Sequence, residues 1–154
     1  MARNKLTASS TLAVVGSLAL LGCATVEEAA VEAVAKTHRA TLTGAEIVSS
    51  GGDRDGYARA ELSVSDELDQ ICYDVNNIRN LAPITSLTIN RGTRGYIGPA
   101  IIRVDRANEG GWKNCISRSE WLEKSFEYAP GAYYVQVSTA EFPNGAIRGQ
   151  FRDD

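Results

Sequence analysis

The stretch Gly56-Tyr57-Ala58-Arg59-Ala60-Glu61-Leu62-Ser63-Val64-Ser65 alternates along its whole length. Ala58, Ala60, Leu62 and Val64 fall on one side, and polar or tyrosine side chains fall on the other. Successive side chains of a strand point to opposite faces, so this period of two predicts a half-buried β-strand with one wet face. Outward from it, Asp66-Glu67-Leu68-Asp69 reads as a turn into Gln70–Asn76, where Ile71, Tyr73 and Val75 share a face. Upstream, Arg39–Val48 predicts a first strand, with Gly44 as the site of a bulge. Downstream, Ile84–Asn90 and Pro99–Val104 predict two more, the second with Ala100, Ile102 and Val104 aligned. Tyr133, Val135 and Val137 mark a late strand, and Phe142-Pro143-Asn144-Gly145 is a turn signal before Ala146–Arg152. One segment breaks the pattern. Ser117-Arg118-Ser119-Glu120 has Ser and Glu at capping-box spacing, then Trp121, Leu122, Ser125 and Phe126 before Pro130-Gly131 stops the run. It predicts a short helix over 118–128 with Trp121 and Leu122 inward. About seven strands separated by regular turn signals predict an all-β fold, an antiparallel Greek-key β-sandwich.

The composition agrees with a single globular domain: 154 residues, 44% hydrophobic and 23% charged, with three cysteines. The formal charge is −3, and without residues 1–22 the chain keeps 14 basic and 19 acidic side chains, a net of −5. Nucleic-acid binding needs clustered Lys and Arg to displace counterions, and this acidic chain has no basic block. Its single histidine, His38, limits general-base and metal chemistry.

The N-terminus carries an address. Arg3 and Lys5 precede an uncharged stretch whose densest apolar part is Leu12 to Leu21. A positive start before a short apolar core is a secretory signal pattern, and this core is short for a span of about 20 apolar residues. It ends in Leu20-Leu21-Gly22-Cys23, which resembles the lipobox of bacterial lipoproteins. That resemblance implies a signal peptide over 1–22, cleavage after Gly22 and a diacylglycerol on Cys23. Each buried acyl CH₂ adds about 0.8 kcal/mol, so several chains on one cysteine make a stable membrane anchor. Ala24 follows the cysteine; if the envelope is Gram-negative, this resembles sorting to the outer membrane, facing the periplasm. Residues 23–37 are Ala-rich, with Glu32 and Lys36 at i, i+4 spacing, and read as a lipidated, partly helical tether before a domain over 38–154.

Cys72 and Cys115 remain once Cys23 is acylated. An exported pair in an oxidising compartment is expected to be joined, tying the third strand to the entrance of the helix.

The run Ala132-Tyr-Tyr-Val-Gln-Val-Ser-Thr-Ala-Glu-Phe-Pro-Asn-Gly-Ala-Ile-Arg-Gly-Gln-Phe151 resembles the closing motif of the chordin domain (CHRD) family. Three other stretches agree with it in order: Ala40-Thr-Leu-Thr-Gly-Ala-Glu46, Ile71-Cys-Tyr-Asp-Val75 and Asn90-Arg-Gly-Thr-Arg-Gly-Tyr-Ile-Gly-Pro99. The resemblance spans nearly all of residues 38–152. It implies an extracytoplasmic β-sandwich, immunoglobulin-like or similar in outline to Cu/Zn superoxide dismutase, and brings no established enzymatic activity. Many relatives carry His-Ile-His where this chain has Thr88-Ile89-Asn90, and a histidine where it has Ser138. Hydroxyls and an amide are much weaker ligands than imidazole for copper or zinc.

Gly92, Gly95 and Gly98 lack the Walker spacing and read as turn glycines. Asp53-Arg-Asp55-Gly56 resembles part of a calcium loop but lacks its third ligand and terminal Glu, which favours a solvated turn and leaves calcium there open. Glu61, Glu141 and Arg148 read as cross-strand charge pairs on a wet sheet face. His38, where tether meets domain, is a poor place for a catalytic base. Tyr57, Tyr96, Trp112, Tyr133 and Tyr134 read mostly as core or rim packing. The expectation is therefore a non-catalytic, lipid-anchored envelope protein, a binding or structural module whose partner is an envelope protein or a glycan. No cofactor, catalytic residue or metal is expected, and the oligomeric state is left open. The alternative, a metal-binding or enzymatic sandwich related to the dismutases, is disfavoured by the absent histidines.

Overall fold

The computed structural model describes residues 35–48, 51–65, 68–107, 110–117 and 120–153. The expected signal, Cys23 and the tether up to residue 34 lie outside the described residues. So do Asp66 and Glu67 of the turn, Arg118 and Ser119 of the capping box and the side chain of Trp121.

The fold is nearly all-β. Its elements are β1 (Lys36–Thr43), a 3-10 turn (Gly44–Glu46), β2 (Tyr57–Ser65), β3 (Gln70–Arg79), β4 (Ile84–Arg91), β5 (Ala100–Arg103), β6 (Lys113–Ser117), α1 (Glu120–Tyr128), a second 3-10 turn (Pro130–Ala132), β7 (Tyr133–Thr139), β8 (Ile147–Gln150) and β9 (Arg152–Asp153). All strands belong to one antiparallel hydrogen-bonded path, in the order β5-β4-β7-β8-β1-β2-β3-β6, with β9 on β1. The two halves of the path meet at one register pair, Thr43 with Arg148. Yet one hydrophobic cluster holds Leu42, Leu62 and Ile71 from one half and Leu87, Ile89 and Val137 from the other. The sheet is therefore curled around its own core.

Alternation builds that core. Ala58, Ala60, Leu62 and Val64 of β2 are all buried, as are Ile71, Tyr73 and Val75 of β3. On the other face, Arg39, Glu61, Asp74 and Lys113 stand in one row across β1, β2, β3 and β6. The Arg39 Nε donates to Glu61 Oε1 at 3.0 Å, an exposed pair worth well under about 1 kcal/mol. The first strand differs from expectation: it begins at Lys36, and Gly44 ends it in a 3-10 turn where a bulge was expected. A Cβ on Gly44 would lie 1.9 Å from Asp53 O, so the chain 51–53 passes too close for any side chain there.

The expected helix is present as α1, and it packs by its apolar residues at i, i+4. Leu122 and Phe126 are buried, and the Phe126 ring stands 4.1 Å from Tyr133 and edge-on to Phe151 at 6.3 Å. Ser125 Oγ hydrogen-bonds the Tyr133 hydroxyl, and Lys36 pairs with Glu127. These contacts fix α1 against the starts of β1 and β7 and against Phe151.

Candidate functional site

Tyr133, Val135 and Val137 of β7 point into the core, so Tyr134, Gln136 and Ser138 must lie on the opposite face. That second face is not wet as alternation alone suggests. The segment from Gly92 to Gly98, between β4 and β5, folds back across it and leaves Tyr134 at 1% exposure and Arg148 at 2%. Arg148 donates from Nη1 to Tyr96 O at 2.9 Å and from Nη2 to Thr93 O at 3.1 Å. Its guanidinium carbon sits 3.5 Å from the centre of the Tyr134 ring. Gln150 Nε2 donates to Gly92 O, Gly131 O and Tyr133 O, each at 2.8 Å. The Gly98 amide meets the Tyr134 hydroxyl at 3.2 Å, and a Cβ at position 98 would fall 1.6 Å from Arg91 O.

Arg148 is therefore not the exposed charge of a wet sheet face. The loop over β7 and β8 buries it, and the expected cross-strand pairing gives way to backbone acceptors. Burial pulls its pKa below the ordinary arginine value, Tyr134 and Glu46 pull it back up, and Arg94 lowers it again. Arg94 itself pairs with Glu46 at 3.1 Å, a second tie between this loop and the domain. The arrangement is a clamp: Arg148 donates to two carbonyls of the loop and to Gln150 Oε1, and Gln150 donates to three backbone carbonyls.

Cys72 and Cys115 form a disulfide and are direct partners across β3 and β6, just before α1. Thr88, Asn90 and Ser138 share one face of β4 and β7, but Ser138 opposes Ser86, four residues along β4 from Asn90, while Thr88 opposes Gln136. Asn90 Nδ2 donates to Thr88 Oγ1 at 2.9 Å, so the amide nitrogen is turned to its neighbour. Two hydroxyls and an amide engaged in this way do not fit copper or zinc. His38 is buried on the core side of β1 opposite Leu62, not at an open junction. Asp53 and Asp55 lie in the chain before β2, where the Asp53 amide donates to Ala146 O. No group of three or more His, Cys, Asp or Glu suited to a metal occurs among the described residues. Glu61 pairs with Arg39, and Glu141 is exposed in the β7–β8 turn.

A cleft that sequence reading missed opens on the outer face of β2 and β3. It encloses about 540 Å³ and is lined by Tyr57, Arg59, Asn77, Arg79 and Asn80. Tyr57 pairs in register with Arg79, but Arg59 pairs with Asn76, so β3 carries one extra residue here. This β-bulge turns the end of β3 outward, and Asn77 at φ 51° and Asn80 at φ 52° both hold left-handed backbone. Arg59 Nε donates to the Tyr57 hydroxyl at 3.0 Å, and Asn80 Nδ2 donates to Asp55 O at 3.2 Å. Among the described residues neither arginine has an ion-pair partner, and no acidic side chain lines the cleft. In the sequence, Arg59 reads as one more polar residue on a wet face. The Asn-Asn-Ile-Arg-Asn run from 76 to 80 was the available signal, since asparagine tolerates the left-handed conformation that a bulge or turn demands.

The family model for the CHRD domain matches residues 38–151, which takes in both the clamp and the cleft. No curated protein and no solved structure matches the chain.

Proposed function

The chain belongs to the CHRD domain family, and on that premise we propose that it is a non-catalytic binding or structural module, anchored in the cell envelope by a lipid on Cys23. The observation that carries the non-catalytic reading is the use of the family's closing motif. Arg148 and Gln150, the polar side chains of its last strand, are buried and bonded to backbone carbonyls of the chain itself. A catalytic group has to reach a reacting atom; these two reach a loop. The anchor rests on the order of features before the domain: Arg3 and Lys5, the apolar core and Leu20-Leu21-Gly22-Cys23. Ala24 after the cysteine favours the outer membrane, on its periplasmic side, in a Gram-negative envelope. The partner on this reading is an envelope protein or a glycan. Nucleic acid is disfavoured by the net charge of −5 left after residues 1–22.

The experiment is fractionation of cells carrying the wild-type chain and the Cys23→Ser variant. Wild-type protein should partition into detergent and show an acylated, N-terminal Cys23 by mass spectrometry, while the variant moves to the aqueous phase. Mature wild-type protein with an unmodified Cys23 would overturn the anchor.

A further inference from the structure

We infer that the cleft on β2 and β3 binds an acidic saccharide, with Arg59 and Arg79 taking its carboxylate groups and Tyr57, Asn77 and Asn80 contacting the sugar. The inference rests on the binding-module reading and names the ligand class of that module.

Charge comes first. After residues 1–22 the chain carries a net of −5, yet the cleft holds two guanidiniums and no acid. Arg79 makes no hydrogen bond or ion pair among the described residues, and Arg59 commits only its Nε, to Tyr57. Its terminal nitrogens keep the planar fork that matches a carboxylate with two parallel bonds. Both arginines are exposed, so their guanidiniums are open to an incoming anion.

Shape and neighbouring groups then choose among anions. About 540 Å³ is the size of a small-molecule site and far exceeds one carboxylate. The half-buried Tyr57 ring offers an apolar face for sugar C–H groups beside a hydroxyl. The Asn77 and Asn80 amides use their nitrogens on Asn76 Oδ1 and Asp55 O, which leaves their oxygens as acceptors for sugar hydroxyls. Their left-handed backbone, set by the bulge, holds these side chains at the cleft wall. Peptide hot spots sit in well-packed, fully desolvated pockets, and this open, polar lining offers none.

The test is calorimetric titration of the detergent-solubilised whole protein with trigalacturonate. Neutral galactotriose, triglutamate and acetate serve as comparison ligands. Trigalacturonate should bind and weaken as salt rises, and galactotriose should bind at least about tenfold more weakly. Arg59→Gln and Arg79→Gln should each weaken trigalacturonate about tenfold. Arg39→Gln, on the same sheet face outside the cleft, should leave it unchanged. Arg79 is exposed and partnerless, so its variant keeps the fold, and a matching thermal midpoint verifies this. Absent trigalacturonate binding, equal binding of triglutamate or acetate, or unaltered binding by both cleft variants would overturn the inference. Binding followed by shortened saccharide products would instead overturn the non-catalytic reading and leave the cleft assignment standing.

Discussion

At Arg148, one guanidinium lies over the Tyr134 ring and donates to two carbonyls of the same loop, Thr93 O and Tyr96 O. Lysine keeps the charge but not the fork, so it cannot hold both carbonyls at those angles. Hydrogen bonds to a charged group are worth about 1.5–3 kcal/mol each, and an acceptor left buried without a donor costs more than the bond alone. Arg148→Lys should therefore destabilise the domain by about 2–3 kcal/mol in chemical denaturation, and amides of residues 93–98 should exchange faster with solvent. An unchanged denaturation midpoint and unchanged exchange would refute the clamp. Nothing in the local alternation announces this role. Ile147-Arg148-Gly149-Gln150 reads in sequence as a half-exposed strand, and only the loop from Gly92 to Gly98, distant in the chain, converts its polar face into an interior. The same distance explains why Tyr133 and Tyr134, on opposite faces, are both buried.

At the scale of elements, strands that pack one face on the core were legible because their side chains repeat at the strand period. Ala58 to Val64, Ile71 to Val75 and Tyr133 to Val137 all fall where alternation puts them. The short strand β6 was not legible. Lys113-Asn114-Cys115-Ile116-Ser117 has no repeated apolar face and lies at the edge of the sheet, where its neighbour sets its conformation. The bulge at the end of β3 left only the asparagines of 76–80 as its trace, since its cause is a register shift against Tyr57. What holds β6 is its ladder to β3 and the Cys72–Cys115 disulfide, which spans a sequence separation of 43. The chain-entropy model assigns a loop of that length roughly 4 kcal/mol. Non-reducing peptide mapping of protein purified from the envelope should recover the two cysteine peptides linked. The double variant Cys72→Ala, Cys115→Ala should lose up to about 4 kcal/mol, with β6 amides exchanging first. Two free thiols in the purified protein would refute the pairing.

For the whole molecule, the question is whether the curled sheet supports transition-metal chemistry. A copper or zinc centre needs several imidazoles or thiolates converging within about 2.0–2.3 Å of one point. The chain has one histidine, His38, buried opposite Leu62 on β1, while the positions where relatives carry histidine lie on β4 and β7. Cys72 and Cys115 are consumed by their disulfide. At the β4–β7 face the donors are Thr88, Asn90 and Ser138, and the Asn90 amide already bonds Thr88. Neutral hydroxyl and amide oxygens do not hold a borderline divalent ion against water, so this face is a poor copper or zinc site. Carboxylates such as Asp53 and Asp55 suit calcium better, which confines the prediction to transition metals. Elemental analysis of native-purified protein should therefore find copper and zinc far below one per chain after dialysis, and a dismutase assay should read at background. Near-stoichiometric metal that survives dialysis, with activity lost on chelation, would reverse this conclusion. The ligands would then have to come from outside the described residues or from a second chain, because Thr88, Asn90 and Ser138 lack the donors to supply them.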